Sequence, residues 1–412
     1  MAEGAAGAGL TNGGMDMNKT TRPASGLWGA VLAAALAGAM LAACGGGGGG
    51  GATGTAASAY AVGPIRGFGS IIVNGVRFDD SRAQIEDDEG RGRGRDDLRL
   101  GAMVEVESGK IDDSSGRASA DRIRIGSELV GVVDSVSGSS FMMLGQTVDV
   151  RPETVLDDSL ALGTAGLAAL QGKVVEVHAI FDAGSGHYVA TRIEAEDGAL
   201  LFKIRGAISA LDTSAKTFQI GTAAINYASV PSADVPANLA NGQVLRVKVK
   251  PQQENGQWIA TSLRKGERKV DDHDDARLVG QVTAFRSATD FDVNGVKVDA
   301  SRARIDDGPV TADSRVEVRG RASDGSIIAE RVKVVSASDD MVRGVELHGA
   351  IGSLDKTAKT FVLRGVTVSY AGTVTYERGT EAQLADNQNV EVKGALSTDG
   401  KTLNAVLIRF ED

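Results

Sequence analysis

A single cysteine, Cys44, stands among 412 residues, so no disulfide can staple the chain within itself. Aromatic residues make up only 4% of the total and proline occurs seven times. So few rings exclude extended stacking platforms for bases or sugars, and the cores must be built from Val, Ile, Leu and Ala. The four histidines include no pair at metal-binding spacing. Nucleophile elbows, phosphate-binding loops and dinucleotide fingerprints are also missing. A formal net charge of −10 disfavours a nucleic-acid partner, because phosphates repel an acidic chain. Acids are plentiful, yet no carboxylate pair is singled out for glycoside hydrolysis. The pattern favours a non-enzyme, with a glycan hydrolase the least supported alternative.

What is present begins at the amino end. Lys19 and Arg22 precede the uncharged residues 26–43, the basic-then-apolar order of an export signal. That run is too short and too rich in alanine for a permanent span. Its end, Leu41-Ala42-Ala43-Cys44, resembles the lipobox of bacterial lipoproteins, which implies lipid on the Cys44 thiol and cleavage before it. Residues 1–43 are then a signal peptide. Residues 1–14 lack basic character and read as an overextended start, with Met15 or Met17 the more natural first residue. Several acyl chains anchor a protein stably. Gly45, where a retention signal would place aspartate, implies the outer membrane, with the periplasmic or surface side left open. Residues 44–62 read as the lipidated cysteine and a flexible glycine-rich tether holding nothing that could form a core.

Beyond the tether one pattern recurs five times. A short strand with glycine opens each copy (Gly67, Gly131, Gly206, Gly280, Gly349). An apolar strand and tight turn follow, as in Val73-Asn74-Gly75-Val76 and Val293-Asn294-Gly295-Val296, where Asn-Gly tolerates the positive φ of a hairpin. Next comes an alternating strand such as Val104-Glu105-Val106-Glu107 or Val316-Glu317-Val318-Arg319, with valines inward and ions in water. Alanine then precedes a closing strand in four copies (Ala120, Ala190, Ala260, Ala329), and the fifth varies this at Asn404-Ala405. The boundaries predicted are module one at 63–127, two at 128–198, three at 202–266, an acidic linker at 267–276, four at 277–336 and five at 342–410. An open sheet of such strands leaves one face and two edges uncovered, and curling it closed removes both problems. The expected fold class is all-β, tandem five- or six-stranded barrels strung after the tether. A sheet continuous between modules is the rival arrangement.

This succession of glycine strand, Gly-Val turn, Val-Glu-Val strand and Ala-x-x-Ile strand looks like the small β-barrel domain family DUF5666, found in repeat in bacterial lipoproteins. The likeness covers most of residues 63–410, best in modules one and four. Module two carries an inserted segment at 160–170, module three a loop with Pro231 and Pro236, and module five Asn389 near the usual glycine. The family brings no established catalytic residue, so the resemblance assigns none here.

The most chemical-looking segments are charge runs. Asp87 and Asp88 lie in an acidic run followed by Arg91, Arg93 and Arg95, and Asp306 with Asp307 repeats that run in module four. Adjacent carboxylates are possible calcium ligands, but the interleaved arginines favour ion-paired hairpin tips. Asp271, Asp272, His273 and Asp274 mix acids with a histidine, yet consecutive residues do not converge on one ion without an unusual turn, so a polar linker is the better reading. His178 shares strand parity with Glu176 and is expected to face outward. No cofactor is implied beyond a weak case for Ca2+. The function expected is a lipid-anchored envelope protein whose modules bind another envelope protein or a polysaccharide. A passive spacer and a cation-dependent module are the competitors.

Overall fold

The alternating runs become strands in the computed structural model, which describes residues 58–112, 114–268, 270–335, 344–397 and 400–411. Module one holds β1 (Ser58–Phe68), β2 (Ile71–Val73), β3 (Val76–Asp79), β4 (Gln84–Asp87), β5 (Met103–Gly109) and β6 (Arg117–Ile125). β1 pairs with β2 and β2 with β3; β3 runs parallel to β6, β6 pairs with β5, and β5 returns to β1. The circuit is therefore closed. The same circuit closes modules two, three and four. In module five the first strand is broken into Val345–Ala350 and Gly352–Asp355, and the ring runs through both pieces. This order of strands is that of the five-stranded Greek-key barrel of the OB type.

β4 adds a sixth strand beside β6, and modules two, four and five have its counterpart. Module three has instead a 3-10 turn at Ser232–Asp234, directly after Pro231, where the missing proline N–H disfavours another ladder. The insertion in module two forms 3-10 turns at Asp158–Leu160 and Gly163–Leu170, and Leu160, Leu162 and Leu170 are buried in the core.

Each core centres on one hairpin pair with one phenylalanine: Ile71 opposite Phe78, Phe141 opposite Val148, Phe218 opposite Ile225, Phe291 opposite Val298 and Phe361 opposite Val368. All ten side chains are buried, so each core has one phenylalanine at this hairpin position. The Asn74-Gly75 and Asn294-Gly295 turns have φ of 54° and 77°, and 49° and 78°, the double positive φ of a two-residue hairpin. The alanine before each closing strand sits at a register shift between the last two strands, as at Ser108/Ala120 and Gly320/Ala329. Such shifts bend a strand, which lets so short a sheet close.

Several sequence expectations are corrected. The repeat glycine of module one is Gly63, not Gly67: Gly63 pairs with Val104 as Gly131 pairs with Val175 and Gly280 with Val316. The tether reading of 58–62 also fails, since Ala59, Tyr60, Ala61 and Val62 are fully buried in β1. They lie between β5 on one side and the first strand of module four, His273–Ser287, on the other, and only small or well-packed side chains fit there. That same strand takes in the last residues of the span read as an acidic linker.

The modules are not a string. β1 runs parallel to module four from Ala59/Asp275 to Val62/Leu278, and its far end pairs with module five at Gly67/Glu346 and Phe68/Leu347. Module two pairs with module three at Val130/Lys203 and Leu129/Ile204. Closed rings and inter-module sheets therefore coexist. A β-carbon on Gly280 would come within 2.1 Å of Asn294 Oδ1, whose amide donates to the carbonyls of Val62 and Val279 at 3.3 and 3.2 Å. Gly280→Ala should thus lower stability by about 1–3 kcal/mol through overpacking; a melting curve identical to that of the parent would refute this account of the repeat glycine.

Candidate functional site

Outward faces of the barrels carry the charges, and where barrels meet these charges are buried together. At the junction of modules one to four, Arg268 Nε is 2.9 Å from Glu105 and its Nη2 is 2.9 Å from Glu128. Arg205 Nη1 lies 2.9 Å from the same Glu128 carboxylate, and its Nε donates to Gly266 O at 2.6 Å. Arg268 also donates to Asn294 O in the hairpin turn of module four. Burial alone would raise the Glu128 pKa, but Arg205, Arg268 and Lys203 together hold it below the ordinary carboxylate value. Removing one partner of such a cluster strands a buried charge. Arg268→Met is therefore expected to cost about 3–5 kcal/mol in denaturant unfolding, and a loss below about 1 kcal/mol, the range of an exposed pair, would show that the cluster is not a structural centre.

The acidic run of module one is a second joint. Asp87 Oδ1 accepts from the backbone N–H groups of Glu89 and Arg91 at 3.0 and 2.9 Å, and Oδ2 from Arg91 Nε at 2.7 Å and Arg93 Nη2 at 2.9 Å. Burial acts against the Asp87 charge, yet these donors pull its pKa to about 2. Asp88 reaches across to module three, with Arg246 Nη1 at 2.9 Å and Lys203 Nζ at 3.4 Å, and Glu89 pairs with Lys248. Asp306 pairs with Arg304 at 2.7 Å and Arg331 at 2.6 Å, and Asp307 lies 3.7 Å from Lys333 on the surface. Asp271, Asp272 and Asp274 are exposed while His273 is buried and stacks on Tyr60 at 6.0 Å between ring centroids. Asp272 Oδ1 accepts from Asp324 N at 2.9 Å. Strand alternation sends His273 and Asp274 to opposite faces, and Asp271 and Asp272 are exposed before the strand begins, so the four do not converge. Cys44 lies outside the described residues.

His178 does point away from its own barrel core, but it is not exposed. Module one covers it, placing Nδ1 3.0 Å from Gly126 O and 3.3 Å from Met103 N, because the outward face of one module is an inner face of the assembly.

A cluster that no sequence motif announces joins modules one and five. Ligand atoms of Glu346, His348 and Glu391 lie within 4.8 Å of one another. His348 Nε2 is 2.7 Å from Glu346 and its Nδ1 is 2.9 Å from Glu411. Arg77 pairs with Glu346, Lys393 lies 3.4 Å from Glu346 and 3.1 Å from Glu391, and Arg409 is 2.5 Å from Glu391. Protein cations already fill the place a metal would take. Burial would raise Glu346, but the His348 hydrogen bond and Arg77 bring it to about 2. Burial would lower His348, and the carboxylates of Glu346 and Glu411 raise it instead. The depressed Glu346 pKa stabilises the fold above its ordinary 4.5, and that contribution is lost as pH falls towards about 2. Raised His348 acts in the other window, stabilising below its ordinary 6.5 and fading as pH climbs through the folded value. Glu346→Gln should lower stability at pH 7 and flatten the acid limb between these carboxylate values; an unchanged acid-unfolding profile would contradict this.

Clefts open between the barrels among the described residues. One of about 420 Å³ lies where modules one, two and three meet, lined by the acidic run, Glu176, Glu194, Glu196 and Ser127. Another, of about 690 Å³, lies between modules one, two and five. Its lining includes Phe68, Leu98, Leu100 and Val155 together with charges of both signs, among them Arg95 paired with Asp80 and Lys401 paired with Asp158. No helix among the described residues is long and apolar enough to cross a membrane.

The family described as "Domain of unknown function (DUF5666)" matches residues 130–194, 279–333 and 348–409, which are the rings of modules two, four and five. Module one, expected to fit that pattern among the best, shares the ring but lies outside the matched segments. No curated protein matches the chain. Among solved structures, one titled "drosophila Unr CSD456" aligns at 13% identity over 51% of this chain and 98% of its own, with a TM-score of 0.14, too slight a likeness to bear on fold or function. Three of the five barrels thus match the DUF5666 family model, which recurs along the chain.

Proposed function

We propose that this chain is a non-enzymatic envelope protein, anchored in the bacterial outer membrane by lipid on Cys44, whose packed barrels bind another envelope protein or a polysaccharide. The cleft between modules one, two and five carries the reading. Its volume of about 690 Å³ falls in the range of ligand pockets, and its lining mixes apolar side chains with charges of both signs. Leu98 and Leu100 are buried beneath it while Arg99 and Arg364 are exposed at its edge. Barrels of this type commonly bind through loops and one strand face, an analogy of fold that raises the case without naming a ligand.

Acidic and basic groups, in this cleft and at the other module junctions, are largely engaged with each other, which favours a body that holds a binding surface over one that performs chemistry. The inter-module strand pairing also suits a rigid spacer, the second reading. A photoreactive amino acid placed at Arg99 or Val366 in living cells should capture one recurrent partner, while the same group at exposed Glu330 in module four should not. Equal capture at all three positions, or none, would favour the spacer.

A further inference from the structure

We propose that module three carries a docking edge, along Ser262 to Lys265 of its closing strand, for an extended acidic strand of another protein. In the other four modules this edge is filled from within. Their sixth strand runs parallel to the closing strand and sets an apolar residue and then an acid against it. Ile85 lies opposite Ile123, Leu156 opposite Ile193, Ile305 opposite Val332 and Tyr376 opposite Ile408. The residue that follows is Glu86, Asp157, Asp306 or Glu377. Each of these acids pairs with an arginine of the closing strand: Glu86 with Arg124 at 3.0 Å, Asp157 with Arg192, Asp306 with Arg331 at 2.6 Å and Glu377 with Arg409 at 2.5 Å.

Module three keeps the closing strand, Trp258–Lys265, and lacks its neighbour. Val244–Val249 pairs with it on one side, and on the other only Trp258 and Ile259 have a partner strand. Among the described residues no strand pairs with Ser262 to Lys265 on that second side. The chain offers Ser232-Ala233-Asp234 at the sixth-strand place, but Ala233 has less to bury than Ile, Leu or Tyr, and Pro231 lacks an N–H. The segment forms a 3-10 turn instead. Arg264 and Lys265 are consequently exposed, whereas the residues at the same two positions elsewhere, Arg124-Ile125, Glu194-Ala195, Lys333-Val334 and Arg409-Phe410, are at least partly covered. Neither base has an ion-pair partner among the described residues, although Arg264 takes the position of Arg124 and Arg409.

An unpaired strand edge is a template for strand addition, in which backbone groups give affinity and alternate side chains give selectivity. Exposed bases on such an edge turn basic strands away and admit acidic ones. The occupant that repeats what the other modules show is a parallel strand with an apolar residue beside Leu263 and a carboxylate beside Arg264. No residue of module three lines the cleft between modules one, two and five, so the docking edge does not depend on that cleft.

A labelled synthetic peptide copying residues 82–87, which include Ile85 and Glu86, stands in for the partner strand, and fluorescence anisotropy reads its binding to the full chain. One saturable site is expected. Arg264→Glu should weaken it about fivefold or more, because an opposite-charge cross-strand pair becomes a like-charge one, and a peptide carrying Glu86→Lys should regain affinity for that variant, which a misfolded chain would not show. Pro231→Val with Ala233→Ile should let the chain's own segment fill the edge and lower peptide binding in the same way. No binding to the parent, or undiminished binding in either variant, would overturn the assignment. A dimer of the full chain in sedimentation that Arg264→Glu dissolves would overturn it too, since the occupant would then be a second copy.

Discussion

The buried cluster of Glu105, Glu128, Arg205 and Arg268 is the constraint on which the arrangement of barrels depends. Its members come from modules one, two and three and from the connection before module four, and Arg268 also reaches the hairpin turn of module four. Charges taken out of water need partners at hydrogen-bond distance, so only one mutual placement of these modules satisfies all four side chains. Apolar contact between barrels is far less discriminating. The polar junction therefore selects geometry, while the aliphatic cores supply most of the driving force for each ring.

Around that centre the modules solve an edge problem in two ways. Each ring closes through the parallel pairing of its third and last strands, leaving few free edges. The first strands, longer than closure requires, then pair with one another across modules. β1 is held by β5 on one side and by module four on the other, and its end passes to module five. Module one thereby sits between partners distant in sequence. The acidic run Glu86 to Glu89 has the same logic: a loop that would be a solvated tip in an isolated barrel becomes a plug for the bases of module three.

Much of the single-module fold was legible because its signals are local. Alternating valines mark strands, Asn-Gly marks the turns, and the pattern counts five modules. Errors arose where a local signal had two readings. Gly63 and Gly67 both lie on β1, and only the pairing with Val104 shows which one faces the hairpin residue Asn74. Residues 58–62 look like more tether because alanine is unremarkable in sequence, whereas between two strands its small size is what permits close packing. Parity placed His178 on the outer face correctly, yet could not reveal that another barrel covers that face. The Arg77, Glu346 and His348 cluster was invisible, since Arg77 is 271 residues from His348.

By itself the sequence determined the repeat, the strand period, the turn chemistry and the aliphatic character of the cores, all of which follow from neighbours a few residues apart. Only the tertiary structure decided which outward charges are buried, which bases keep no partner, and where clefts open. Those properties depend on pairs of surfaces from different modules, and the energy of burying a charge is set by what lies across the interface rather than by its neighbours along the chain.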